Sequence, residues 1–158
     1  MSDHKQKFMQ IAIDLSREGM QAGHGGPFGS IVVKEGEIIG KGYNKVLSEH
    51  DPTAHAEIIA IREACQNLKS NQLEGCEIYT SCEPCPMCLG AIYWARPGKV
   101  YFANNRSDAE KAGFDDSFIY KEIALSADKR KIPMFEIPGT NALKVFREWE
   151  EKEDKTTY

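Results

Sequence analysis

The chain has 158 residues, 41% of them apolar and 28% charged, with a formal net charge of −4. That is the size and balance of one ordinary globular domain, and its acidity gives no general attraction to nucleic acid. No run of 18 apolar residues suggests a membrane span, the N-terminal stretch MSDHKQKFMQIAIDL lacks the marks of a secretory signal, and a cytoplasmic location is expected.

Apolar positions at Phe8, Met9, Ile11, Ala12, Leu15 and Met20 recur near a helical period, which predicts a helix over 5–22. QAGHGGPFG then breaks it with four glycines and a proline. SIVVKEGEIIGKGYN reads as a hairpin around Glu35-Gly36, and LSEHDPTAH as a loop. AEIIAIREACQNL is amphipathic and helical, CEIYTS is a short strand, and PCPMCLGAIYWA is a helix with Pro84 near its start. KVYFAN is another strand, PMFEI a possible late one, and NALKVFREWEEK the last helix. Strands alternating with helices predict a layered α/β domain with a mixed sheet and no dividing linker.

The chemistry concentrates in two stretches. His55 sits in T-A-H-A-E, and thirty residues later T-S-C-E-P-C-P-M-C places thiols at Cys82, Cys85 and Cys88. In a cytoplasmic chain five cysteines point to metal ligands, catalytic groups or buried thiols rather than disulfides. A structural zinc takes four protein ligands, whereas a catalytic one takes three and keeps a position for water. His55, Cys85 and Cys88 make three, and Glu57 is then available for proton transfer. Cys85 and Cys88 can share one helix face, being three apart. His55 and Glu57 diverge inside a helix and converge only at its N-terminus, so two helix N-termini would point at one metal. Two other readings stand beside this one. Cys82 as a fourth ligand would make a closed structural site, and a redox C-x-x-C would leave His55 and Glu57 without a role. Cys65 and Cys76 read as buried thiols, His24 and His50 as surface residues.

TAHAEIIAIREA with TSCEPCPMCLGAIYWAR resembles the cytidine deaminase-like superfamily, whose zinc deaminases carry H-x-E followed by P-C-x-x-C. GGPFGSIVVK, DPTAHAE, SCEPCPMCLGAIYWARP, KAGFDDSFIYKEI and the terminal tyrosine are similar to bacterial guanine deaminases over nearly the whole chain. The resemblance implies a three-layer α/β/α sandwich around a five-stranded mixed sheet. It implies hydrolytic deamination of guanine to xanthine and ammonia, with one Zn2+ per chain. It further implies a homodimer in which the segment from about 114 to 158 is swapped between subunits, so that Tyr158 reaches the other subunit's site.

For the substrate pocket the resemblance points to Asn44, Phe28, Ala54, Trp94 and Tyr158, and to Asp116 of F-D-D as an acid that grips the base or moves a proton. Each residue has a plainer reading: Asn44 as a turn residue, Asp116 as a helix cap, Phe28 and Trp94 as core. Pro27 and Gly29 would let the backbone approach the ligand. The rival functions are a deaminase of another base (cytosine, cytidine, or adenosine in transfer RNA) and a non-catalytic zinc-stabilised binding module.

Overall fold

The computed structural model describes residues 3–158. They form two compact units, one ending at Asp116 and one running from Ser117 to Tyr158.

The first unit is built on four strands: β1 (Gly29–Lys34), β2 (Glu37–Tyr43), β3 (Cys76–Cys82) and β4 (Lys99–Asn104). Their spatial order is β2-β1-β3-β4. β1 pairs antiparallel with both β2 and β3, while β3 and β4 run parallel, so the sheet is mixed. Glu35 and Gly36 carry φ of 51° and 85°, the left-handed pair that suits a two-residue hairpin turn. The parallel β3–β4 step needs a crossover, which α3 (Pro86–Ala95) supplies.

Helices cover both faces of the sheet. Successive strand residues point to opposite sides, and the buried residues divide accordingly. Ile31, Val33 and Tyr79 pack with Phe8, Met9, Ile11 and Leu15 of α1 (Asp3–Gln21). Val32, Ile78 and Cys76 pack with Ala60 and Ala64 of α2 (Ala56–Leu68) and with Ile92 and Ala95 of α3. Burying each large aliphatic side chain stabilises the fold by about 1.5–3 kcal/mol.

α2 lies flush on β2 because the facing residues are small. A Cβ on Gly42 would stand 2.4 Å from the Ala56 carbonyl oxygen, and one on Gly40 2.4 Å from that of Ala60. This contact sets the height of α2 over the sheet, and so where its first residues fall. Gly29 has the same role on the other face: a Cβ there would stand 2.1 Å from the carbonyl oxygen of Ala12 in α1. That corrects the expectation that Gly29 opens the backbone to a ligand. A short helix, α4 (Arg106–Lys111), follows β4.

The second unit holds α5 (Ser117–Ile123), a single 3-10 turn (Ala127–Lys129) and α6 (Ala142–Glu151). Arg130 donates to the carbonyls of Glu122 (3.1 Å), Leu125 (3.3 Å) and Ile123 (3.4 Å), satisfying the end of α5. The fifth strand does not form among the described residues. PMFEI, at 133–137, carries no ladder; it is bracketed by Pro133 and Pro138, which have no N–H to give one. No helix of the described residues is long and apolar enough to cross a membrane.

Candidate metal centre and active site

Two helix starts meet at one point. His55 is the N-cap of α2 and Cys85 the N-cap of α3, both in extended backbone, and neither side chain caps its own helix. Pro86, rather than Pro84, occupies the first turn of α3. Cys88 then follows on N3, and Glu57 on N2 of α2, so both project beside the caps. The exposed N–H groups of two helix ends leave partial positive charge here, which favours thiolates.

The geometry fits a tetrahedral cation. Cys85 Sγ and Cys88 Sγ each lie 3.5 Å from His55 Nδ1. Ligands at ordinary Zn–S and Zn–N lengths on a tetrahedron stand ~3.6 Å apart. The three ligand atoms lie within 4.8 Å of one another, and they form the metal-binding group found among the described residues. The charges agree. The Cys85 thiol is drawn down to about 4 by its hydrogen bonds with Cys88 and His55, burial opposing. Cys88 is pushed up by its hydrogen bond to Cys85 and by burial. His55 is raised by the Cys85 thiolate. The cluster thus holds protons where a cation would displace them, as metal binding at thiol and imidazole groups requires.

Cys82 stands outside this group. It is buried, its Sγ faces the Asn105 carbonyl at 3.9 Å, and burial pushes its thiol up to about 11. The candidate protein ligands therefore number three, which is the open arrangement of a catalytic site.

Glu57 adjoins the cluster, with Oε2 3.4 Å from Cys88 Sγ. It is 6% exposed, and burial raises its carboxyl above the ordinary range. A buried carboxyl beside the ligand cluster is placed to take and return a proton.

The cluster forms the floor of a cavity of about 650 Å³, within the ordinary range for small-molecule sites. His55, Glu57, Cys82 and Cys85 line it, with Asn44, Phe28, Pro27 and Asp116 on its walls. Asn44 is buried, and its Oδ1 accepts from the N–H groups of Val46 (3.1 Å) and Gly26 (3.3 Å). It is thus both the turn residue and a cavity residue. Burial and the Cys85 thiolate raise the Asp116 carboxyl, while Arg106 draws it down.

Of the other residues to which the resemblance points, Trp94 and Ala54 are not among those lining the cavity. Trp94 is on α3, 65% exposed and outside the cavity lining. Ala54 is fully buried just before His55, and its carbonyl accepts the Lys45 N–H at 3.0 Å. Tyr158 ends the second unit. The two histidines read as surface residues differ. His24 is half-buried and stacks on Tyr43 at 5.4 Å, whereas His50 is exposed. Phe114 was missed as a cavity residue; it meets Phe28 edge-on at 4.9 Å and 85°. Its signal was the F-D-D run itself, since the residue two before Asp116 shares the same turn.

Comparison with known proteins agrees with this geometry. Residues 2–104 match the family described as the cytidine and deoxycytidylate deaminase zinc-binding region. The chain is 54% identical over 151 residues to the guanine deaminase of Bacillus subtilis (strain 168), covering 96% of this chain and 97% of that one. The crystal structure of Bacillus subtilis guanine deaminase superposes with a TM-score of 0.95 at 52% identity, covering 100% and 99% of the two chains. A tRNA-specific adenosine deaminase of Aquifex aeolicus (strain VF5) is 46% identical over 99 residues, 63% of this chain and 65% of its own.

Proposed function

The chain belongs to the cytidine and deoxycytidylate deaminase zinc-binding family, and from that premise we propose that it hydrolyses guanine to xanthine and ammonia. One observation carries the reading. A three-ligand soft-metal site with a buried carboxyl beside it floors the cavity of a chain 54% identical, nearly end to end, to a guanine deaminase.

His55, Cys85 and Cys88 would hold the zinc, which when bound supplies a Lewis acid that activates water. The chain's own groups do the rest. Glu57 takes a proton from the attacking water and gives it to the ring nitrogen beside the amino-bearing carbon. It then carries a proton to the departing amine, so that water is consumed and ammonia released. Asn44 has its Oδ1 committed to backbone N–H groups, which leaves its Nδ2 to donate to an acceptor on the base. Asp116, as carboxylate, accepts from the N–H groups on the guanine edge or helps relay the proton. Phe28 and Phe114 offer ring faces and edges to the purine.

The lining favours a free base over a nucleotide or transfer RNA. Glu57, Glu83, Asp115 and Asp116 line the cavity, and no lysine or arginine does, so a phosphate finds no counter-charge there. Ammonia release should be measured with zinc-assayed protein given guanine, cytosine, cytidine, adenine, adenosine or transfer RNA. Release from guanine alone is expected. Release from transfer RNA with none from guanine would overturn the assignment.

We also propose a homodimer in which the C-terminal segment, expected from about 114 and taken from Ser117 where the second unit begins, is exchanged, so that Tyr158 of the partner subunit closes each cavity. The support is the second unit's uncovered apolar surface. Mixing a Glu57→Gln chain with a chain lacking Tyr158 tests it. In a swapped heterodimer one site combines an intact Glu57 with the intact tyrosine of the other chain, so mixing should restore turnover. No gain on mixing would argue against the exchange.

A further inference from the structure

One wall of the cavity rests on a short helix, with Phe114 packed against Phe28. Ala109, Phe114, Asp115 and Asp116 line the cavity, and all of them belong to α4 or the turn after it. Yet α4 has six residues and buries none, far short of a helix that persists alone in water. The turn is tied to it through Phe114 N–H, which donates to the Ala109 carbonyl at 2.9 Å, and through Gly113, at φ 93°. Wherever α4 sits, Phe114 and Asp116 follow.

Beside the contact of Cys82 Sγ with the Asn105 carbonyl, two devices act at the start of α4. The first is local, a capping box in which Asn105 Oδ1 accepts from Asp108 N–H (3.0 Å) and Asp108 Oδ2 from Asn105 N–H (3.0 Å). It stiffens the turn and does not anchor it to the sheet. The second is Glu83, which follows β3 on the loop that carries Cys85. Its Oε2 accepts the Arg106 N–H at 3.1 Å, and its Oε1 lies 3.6 Å from Arg106 Nε. Its own N–H donates to the Asn104 carbonyl at 2.8 Å. Glu83 therefore grips both the backbone and the side chain of the first residue of α4, from the loop that holds the metal ligands.

Building on the proposed guanine chemistry, we propose that Glu83 is a positioning residue: by clamping Arg106 it sets α4, and through α4 the placement of Phe114 and Asp116 relative to the ligands on the cavity floor. The Glu83 and Arg106 side chains are 31% and 47% exposed, so the pair contributes little to global stability. Its effect is geometric. A misplacement of about 1 Å at a reacting group can cost two orders of magnitude in rate. Glutamine at 83 keeps an oxygen for the Arg106 N–H and loses the charge, while alanine loses both.

The test compares Glu83→Ala and Glu83→Gln with the unaltered chain. Amide hydrogen exchange should speed at Arg106 and across 113–116 in the alanine variant, with α3 and the sheet unchanged and zinc content undiminished. Guanine kcat/KM should fall about 10- to 100-fold in Glu83→Ala, with partial recovery in Glu83→Gln. In an Asp116→Asn background the alanine change should cost much less than in the unaltered chain, since residues acting through one another are not additive. An equal cost in both backgrounds, or unchanged exchange at Arg106 and 113–116, overturns the proposal. The exchange experiment needs no substrate. If the unaltered protein fails to turn over guanine, the functional assignment falls and exchange alone decides the clamp.

Discussion

Ile31, Ile78 and Tyr79, in the unit that ends at Asp116, are at most 1% exposed; Ile132, Phe135 and Ile137, in the unit that begins at Ser117, are 75–80% exposed. Apolar content does not separate the two regions. What separates them is whether an apolar face finds a neighbour within its own unit. β1 and β3 have helices on both faces. α6 carries Leu143, Val145, Phe146 and Trp149, all at least 42% exposed, and buries no residue. A unit of about 40 residues is near the size at which a chain needs disulfides, metals or association to be stable. The first unit closes on itself and holds the metal site. The second displays an amphipathic surface, on which the proposed dimer rests.

The sharpest probe of the closed unit is the carboxyl it buries. Glu57→Gln should keep zinc and lose about 10²- to 10⁴-fold in kcat. A variant with normal turnover would remove Glu57 from the chemistry.

Acid should act next. Cys85 titrates near 4, below its ordinary 9.0, so its thiolate contribution is complete above 9.0 and is lost as pH falls through about 4. Zinc assayed after dialysis should stay bound at neutral pH and leave as pH drops into that region. A Cys85→Ser chain that holds zinc at neutral pH as tightly as the unaltered chain would show that Cys85 is not a ligand.

Ile78→Ala should cost about 2–5 kcal/mol in denaturant unfolding, as expected of a sealed interior. A cost near zero would break the contrast from the side of the first unit. The smallest effect on folding is expected at α6. Phe146→Ser should leave the first unit's stability within about 0.5 kcal/mol and weaken dimer association, seen as a concentration-dependent mass by light scattering. Unchanged association would mean that the face of α6 is not an interface.

Much of the metal site was legible in the sequence. Ligand spacing depends on local geometry: an N-cap and N3 of one helix, and the N-cap and N2 of another. Those offsets are readable from T-A-H-A-E and P-C-P-M-C without knowing the fold. The hairpin was legible for the same reason, since Glu35-Gly36 can adopt left-handed backbone at a two-residue turn. Gly29 was read less well, and Trp94 stood open between a ligand and the core. A glycine beside a turn and an aromatic on an apolar helix look alike whether they face a ligand, a helix or solvent, and only the packing of α1 on β1 and the exposed side of α3 decide between them.

The sequence by itself determined the order of elements from α1 to β4, the soft ligand set and the carboxyl beside it, because each follows from periodicity or from short residue patterns. Tertiary structure alone decided three things. It brought the side chains of His55 and Cys85, at two helix starts thirty residues apart in the chain, to 3.5 Å through the close fit of α2 on the glycines of β2. It excluded Cys82 from the ligand group by turning its thiol toward Asn105. It also hung the wall bearing Phe114 and Asp116 on Glu83 and Arg106. These are contacts between residues far apart in sequence, and their geometry follows from how the layers pack.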